Sequence, residues 1–196
     1  MESLIVNETK FNLLKDLGLA ENSYFSLLDK LAESDSRYLK DLRINTGNVL
    51  NSPNFSKKES YLLALSVAYN QNNTILSACF EKLAEANGAT VAEIAETAAC
   101  TSLLNANNVF YRFRHYVEKE SYNTMPAGIK MSVMGNPVLG KEFFELMSLV
   151  VSALNGCEMC VKSHEESVKN HGATESRIFD AIRLGSLLKS LSVIIK

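Results

Sequence analysis

Apolar residues crowd two stretches of the chain, Tyr61 to Tyr69 and Phe143 to Leu154, and in both they cover most faces of a helix. Helices patterned this way are buried ones. The punctuation between apolar runs is also helical. Ser56-Lys57-Lys58-Glu59 and Thr90-Val91-Ala92-Glu93 read as capping boxes, in which the hydroxyl accepts from an orphan backbone N–H and the glutamate reaches back. Gly88 and Gly172 stand where a helix would end on a left-handed residue. Asn7 and Asn22 precede apolar-periodic runs and read as N-caps of additional helices. Between about 117 and 139, Pro126, Gly128, Gly135 and Pro137 predict a connector with at most short helix.

The pattern repeats at an offset of 84 residues, from Gly88 to Gly172. Without gaps that offset pairs Leu62 with Leu146, Leu65 with Leu149, Val67 with Val151, Glu81 with Glu165 and Ile94 with Ile178. The shared positions are core residues and helix punctuation, so the repeat is architectural. The expected fold is all-α: a single helical bundle over 1–196, built from two similar halves. Residues 1–50 or so add N-terminal helices, 55–116 form one half-repeat, 117–139 connect, and 140–196 form the second half.

Composition narrows the function classes. With 46% hydrophobic and 21% charged residues, the 196-residue chain can bury a sizeable core and is not a disordered one. Nine glycines and three prolines leave little room for the turns of a many-stranded sandwich. A net charge of −2 argues against binding nucleic acid by phosphate neutralisation. Arg112, Arg114 and His115, interleaved with Tyr111, Phe113 and Tyr116, read instead as cations complementing a helix C-terminus, with the aromatics packed inward or at a subunit contact. The segment Met1 to Glu8 carries an acid at position 2 and no long apolar run, unlike a secretory signal. Leu146 to Leu154 falls far short of the ~20 residues that span a bilayer. The chain reads as soluble and cytoplasmic, with no membrane partner.

Four cysteines carry the chemical interest. Cys79 and Cys100 stand alone in apolar patterns and read as small buried hydrophobes. Cys157 and Cys160 form a Cys-x-x-Cys pair after the helix-breaking Asn155-Gly156, a spacing that in a cytoplasmic chain is redox-active or metal-binding. At about 100° per residue, Cys157, Cys160 and His164 fall within one ~60° face of a helix running to about Asn170. That spacing permits a disulfide and lets the imidazole approach Cys160. Orphan N–H groups at the helix start stabilise a thiolate there, which favours Cys157 as the more accessible reactive sulfur. If Asn155-Gly156 turns an antiparallel pair, Glu145 lies level with His164 to within ~3 Å, where a carboxylate fixes the ring's tautomer and raises its basicity. The alternatives are a solvated glutamate with a surface histidine, or zinc held by Cys157, Cys160 and His164 with His171 or Glu145 as a fourth ligand, a crowded set for one short helix. At the 84-residue offset Glu145, Cys157, Cys160 and His164 fall on Tyr61, Asn73, Leu76 and Phe80. Only the second half carries the candidate chemistry.

Glu145, eleven residues, Cys-x-x-Cys and then x-x-x-His resembles the D-type alkyl hydroperoxide reductase family of the carboxymuconolactone-decarboxylase-like superfamily. Asn105 to His115, Met125-Pro126-Ala127-Gly128 and Val151 to Cys157 extend the resemblance, which covers most of residues 40–196. It implies an all-helical subunit, assembled as a homotrimer. It implies a thiol peroxidase for organic hydroperoxides that also re-reduces a C-type peroxiredoxin. Electrons would come from dihydrolipoamide on a lipoylated dehydrogenase-complex subunit, with no bound metal or flavin. By the same resemblance Cys160 becomes the sulfenic acid, Cys157 protonates the leaving group and resolves it as a disulfide, and Glu145 with His164 forms the proton relay. Family members often carry histidine just before the second cysteine; here Met159 stands there. Dependence on His164 and Glu145 should rise accordingly. Peroxide would meet Cys160, and Cys157 would be the exposed sulfur that the reductant reaches. Rival readings are a decarboxylase of the wider superfamily and a non-enzymatic redox-sensing module.

Overall fold

The computed structural model describes residues 7–196. The reading of the first residues as no secretory signal falls on positions that, except for Asn7 and Glu8, lie outside the described residues. Ten α-helices follow in order: α1 Glu8–Asp16, α2 Ser26–Glu33, α3 Arg37–Leu50, α4 Lys57–Asn70, α5 Thr74–Ala86, α6 Val91–Val117, α7 Glu120–Thr124, α8 Lys141–Leu154, α9 Glu158–Asn170 and α10 Glu175–Ile194. A 3₁₀ turn, Ser132–Met134, interrupts the connector between α7 and α8. No strand occurs among the described residues. None of these helices is long and apolar enough to cross a membrane.

The helix boundaries of the two halves keep the sequence register. α4 and α8 begin at 57 and 141 and end at 70 and 154; α5 and α9 begin at 74 and 158 and end at 86 and 170; α6 and α10 begin at 91 and 175. Each of these positions is displaced by the 84 residues that separate Gly88 from Gly172. The capping boxes at Ser56 and Thr90 form as their spacing predicts, and Gly88 and Gly172 take φ of 87° and 99°. α4 packs on α5 and α8 on α9, giving two hairpins; α4 also meets α8, and α6 and α10 pack across both. The centre of the bundle is therefore the α4–α8 pair. Leu62 to Ala68 and Phe143 to Ser152 are buried along their whole length, which is what helices apolar on most faces require.

α8 and α10 approach closely at Gly185. A Cβ built there would lie 2.7 Å from Cγ1 of Val150. Alanine would gain about 1 kcal/mol in helix propensity, but overpacking a close-packed core costs about 1–3 kcal/mol. Gly185→Ala should therefore lower the urea midpoint; a raised midpoint would show that Val150 yields without cost.

Two expectations need correction. Asn22 caps nothing: α2 starts at Ser26 with Phe25 at its N-cap, and the N–H of Phe25 donates to Asp29 Oδ2 at 2.9 Å. Among the described residues no side chain caps the first-turn N–H groups of α2, and the one backbone N–H that Asp29 takes is that of Phe25, whereas Asn7 accepts from Lys10 N–H as expected. Arg112 complements a helix C-terminus as expected, that of α8, donating to the carbonyl of Asn155. Two of the three aromatics do not pack inward: Phe113 and Tyr116 are exposed, Phe113 meeting Tyr122 of α7 edge-on at 5.3 Å, whereas Tyr111 is half-buried.

Candidate active site

The α8–α9 hairpin turns at Asn155-Gly156. Gly156 has φ of 67°, a conformation glycine adopts without strain; at the equivalent turn of the first half Asn72 holds φ of 53°. Side chains from three helices pin the turn. Asn70 Nδ2 donates to Asn155 Oδ1 (3.0 Å), Asn105 Nδ2 to Asn70 Oδ1 (2.8 Å), Asn155 Nδ2 to Asn108 Oδ1 (3.0 Å) and Asn108 Nδ2 to Ser152 Oγ (3.0 Å). With Arg112 on the Asn155 carbonyl, the segment leading into Cys157 is held on both its amide and its main chain. The network runs from exposed Asn105 through half-buried Asn70 and Asn155 to buried Asn108 and Ser152, and at its buried end a member left unpaired is costly, which fixes the geometry.

Cys157 sits at the N-cap of α9 and Cys160 in its first turn. They are joined as a disulfide with Cα atoms 5.3 Å apart. The first half shows what Cys157 replaces. There Asn73 caps α5, its Oδ1 accepting from Leu76 N–H at 2.9 Å, whereas the N-cap of α9 receives no side-chain hydrogen bond. The first-turn N–H groups of α9 thus have no side-chain acceptor at the N-cap, and their field is free to act on a thiolate formed there. The accessibility expected for Cys157 is reversed: it is 1% exposed against 7% for Cys160. Its own N–H is tied back to the Ser152 carbonyl at 3.1 Å, and α6 packs against α9, so the first sulfur is enclosed rather than presented.

His164 lies one turn beyond Cys160. Its Nδ1 meets Oε2 of Glu145 at 2.7 Å, with side-chain exposures of 12% and 4%. The level match of residues 145 and 164 across the turn is realised, and the solvated-glutamate alternative is not. Burial pushes the Glu145 carboxyl up, but hydrogen bonds from His164 and Lys141, with their charges, outweigh it and hold the group at about 2. An ionised carboxylate on Nδ1 requires a proton there, which leaves Nε2 as the nitrogen that exchanges one.

Lys141 escaped the sequence reading. Its Nζ lies 2.7 Å from Oε1 of Glu145 and 2.8 Å from the Met134 carbonyl. The four-residue spacing was visible, but such pairs are ordinarily surface decoration, and only burial of the carboxylate distinguishes this one. His171, weighed as a metal ligand, turns its Nδ1 to the Ser167 carbonyl at 2.7 Å. Cys79 and Cys100 are buried as expected, and burial pushes their thiols up to about 11 and about 12.

A helical hairpin that carries a cysteine pair at a helix entrance, backed by a buried histidine–carboxylate contact, defines a dithiol–disulfide protein. Residues 122–189 match the model of the carboxymuconolactone decarboxylase family. The alkyl hydroperoxide reductase AhpD of Beijerinckia indica is 37% identical over 168 residues, covering 86% of this chain and 91% of that protein. AhpD of Hyphomonas neptunium is 39% identical over 154 residues, 78% of this chain and 84% of its own. AhpD of Rhizorhabdus wittichii is 35% identical, covering 85% and 96%. The chain belongs to the AhpD family of alkyl hydroperoxide reductases.

Proposed function

We propose that the chain is a thiol peroxidase for organic hydroperoxides, working through Cys160 and Cys157. The observation that carries this reading is the Glu145–His164 contact, enclosed one turn from Cys160. His164 takes the Cys160 thiol proton, and the thiolate attacks the terminal peroxide oxygen. The O–O bond breaks, Cys160 is oxidised by two electrons to a sulfenic acid, and the alkoxide leaves as the alcohol after protonation from the Cys157 thiol. The Cys157 thiolate then attacks the Cys160 sulfur, the S–O bond breaks, and the hydroxide leaves as water with the proton held by His164, closing the disulfide. Two electrons and two protons from a dithiol restore the pair.

Dihydrolipoamide on a lipoylated dehydrogenase-complex subunit is the proposed dithiol, and a C-type peroxiredoxin is the proposed second electron acceptor. We place the working form in the cytoplasm as a homotrimer, to which the exposed Phe113 and Tyr116 contribute contact surface. The names of the relatives support hydroperoxide as the oxidant.

The test is stopped-flow oxidation of the reduced chain by cumene hydroperoxide, followed by dihydrolipoamide and mass analysis of the peptide spanning 157–160. Stoichiometric disulfide formed by peroxide and opened by dihydrolipoamide supports the reading. Activity on a lactone acid that survives thiol alkylation would favour the decarboxylase alternative. Redox-dependent partner binding without peroxide turnover would favour the sensor.

A further inference from the structure

We propose that Lys141 is a positioning residue of the relay: its ammonium clamps Oε1 of Glu145 so that Oε2 is presented to His164. This deepens the peroxidase reading and rests on it. The geometry is two-pointed. Nζ bonds the Met134 carbonyl of the connector at 2.8 Å and Glu145 at 2.7 Å, so the ammonium is fixed from outside the helix as well as within it. The carboxylate is 4% exposed and has one protein partner on each oxygen. Losing either would free it to rotate.

Helix stability does not explain the lysine. It is the first residue of α8, where the positive end of the macrodipole disfavours a cation. Lysine N-terminal to glutamate at this spacing is also the weaker order of such a pair. The first half offers a comparison. Lys57 occupies the equivalent place, but four residues on stands Tyr61, whose ring centroid is 6.0 Å away, and the ammonium bonds the Asn51 side chain. Both halves carry the lysine; only the redox half sets a carboxylate beneath it.

Among the described residues no other charge competes for Glu145. On α9 the facing group is His164. On α6, Cys100 faces it as a neutral thiol, and Glu96 binds the N–H groups of Val138 and Leu139 at 2.8 and 2.6 Å. Arg177 of α10 is tied to Glu59 of α4 and Glu142 of α8. The ammonium and the imidazole alone decide where the carboxylate points and how firmly it stays ionised.

The experiment compares the full chain with Lys141→Gln, which keeps a donor for the Met134 carbonyl without the charge, and with Lys141→Arg. Two readouts are taken. Carbon-13 resonances of the glutamate carboxyls, assigned with Glu145→Gln, follow the protonation of Glu145 within the pH range where circular dichroism shows a folded chain. Stopped flow follows oxidation by cumene hydroperoxide. In Lys141→Gln the Glu145 midpoint moves up by about one pH unit, and oxidation at neutral pH slows about tenfold or more. Lys141→Arg restores both. A Glu145 midpoint that stays in place in Lys141→Gln overturns the proposal even if the rate falls, because a merely structural lysine would lower the rate alone. Should Lys141→Gln fail to fold, Lys141→Met supplies the neutral variant. The carboxyl titration needs no peroxide, so it separates failure of this inference from failure of the peroxidase reading.

Discussion

With Cys160 replaced by serine, consumption of cumene hydroperoxide falls to the uncatalysed background, at least about a thousandfold below the unaltered chain. The hydroxyl is close in shape to the thiol but far harder to ionise, and an imidazole–carboxylate pair does not convert it into a nucleophile for a peroxide oxygen. Cys160 is buried, but serine differs from it by one atom of similar size, so the substitution leaves little empty volume and the fold is retained. The companion variant separates the two sulfurs. Cys157→Ser should still be oxidised once, stop at the sulfenic acid and yield a dimedone adduct on the peptide containing residue 160. Undiminished turnover by Cys160→Ser with dihydrolipoamide as reductant would remove that sulfur from the chemistry.

Glu145→Gln is the second large effect. The amide keeps the shape but carries no charge, so Lys141 and His164 both lose their anion. Removal of a base's orienting acid costs about a hundredfold or more in proton-transfer steps. The iodoacetamide rate should rise only at higher pH than in the unaltered chain, and an unchanged rate–pH curve would reject the relay. The same residue makes stability depend on acid. The folded carboxyl sits at about 2 against a reference of 4.5. Its folded value is the lower of the two, so the contribution is complete above about 4.5 and disappears as pH falls toward about 2. The size is on the order of 3 kcal/mol. Urea midpoints taken at about pH 3 and at neutrality should therefore differ more for the unaltered chain than for Glu145→Gln. Equal acid sensitivity would show that the pair contributes no net stability.

Much of this architecture was legible because it is written locally. Capping boxes at Ser56 and Thr90, left-handed glycines at 88 and 172, and apolar runs over 61–69 and 143–154 each need only a few neighbouring residues to act. The meeting of Glu145 and His164 was legible too, since an antiparallel turn converts sequence distance into axial height. What escaped depends on partners far along the chain. Asn22 falls short of the helix start, which lies at Ser26 behind Phe25, and no local pattern reveals that Asp29 reaches back to the Phe25 N–H. Arg112 serves α8 because α6 happens to pass beside the Asn155 turn. Enclosure of Cys157 likewise follows from how α6 lies on α9, and a helix-start argument alone made that sulfur look open. Lys141 was visible as a spacing, but its importance comes from the burial of what it touches.

The congruence of α5 with α9 gives the molecule an internal reference. Both helices have thirteen residues, start after a left-handed turn and pack on a central partner, yet only one is entered through sulfur. Amide hydrogen exchange on opening the disulfide should change in the first turn of α9 and stay constant in that of α5. Temperature, solvent and crowding act on the twins alike, so subtracting one from the other isolates the electron-transfer event without a second protein for comparison.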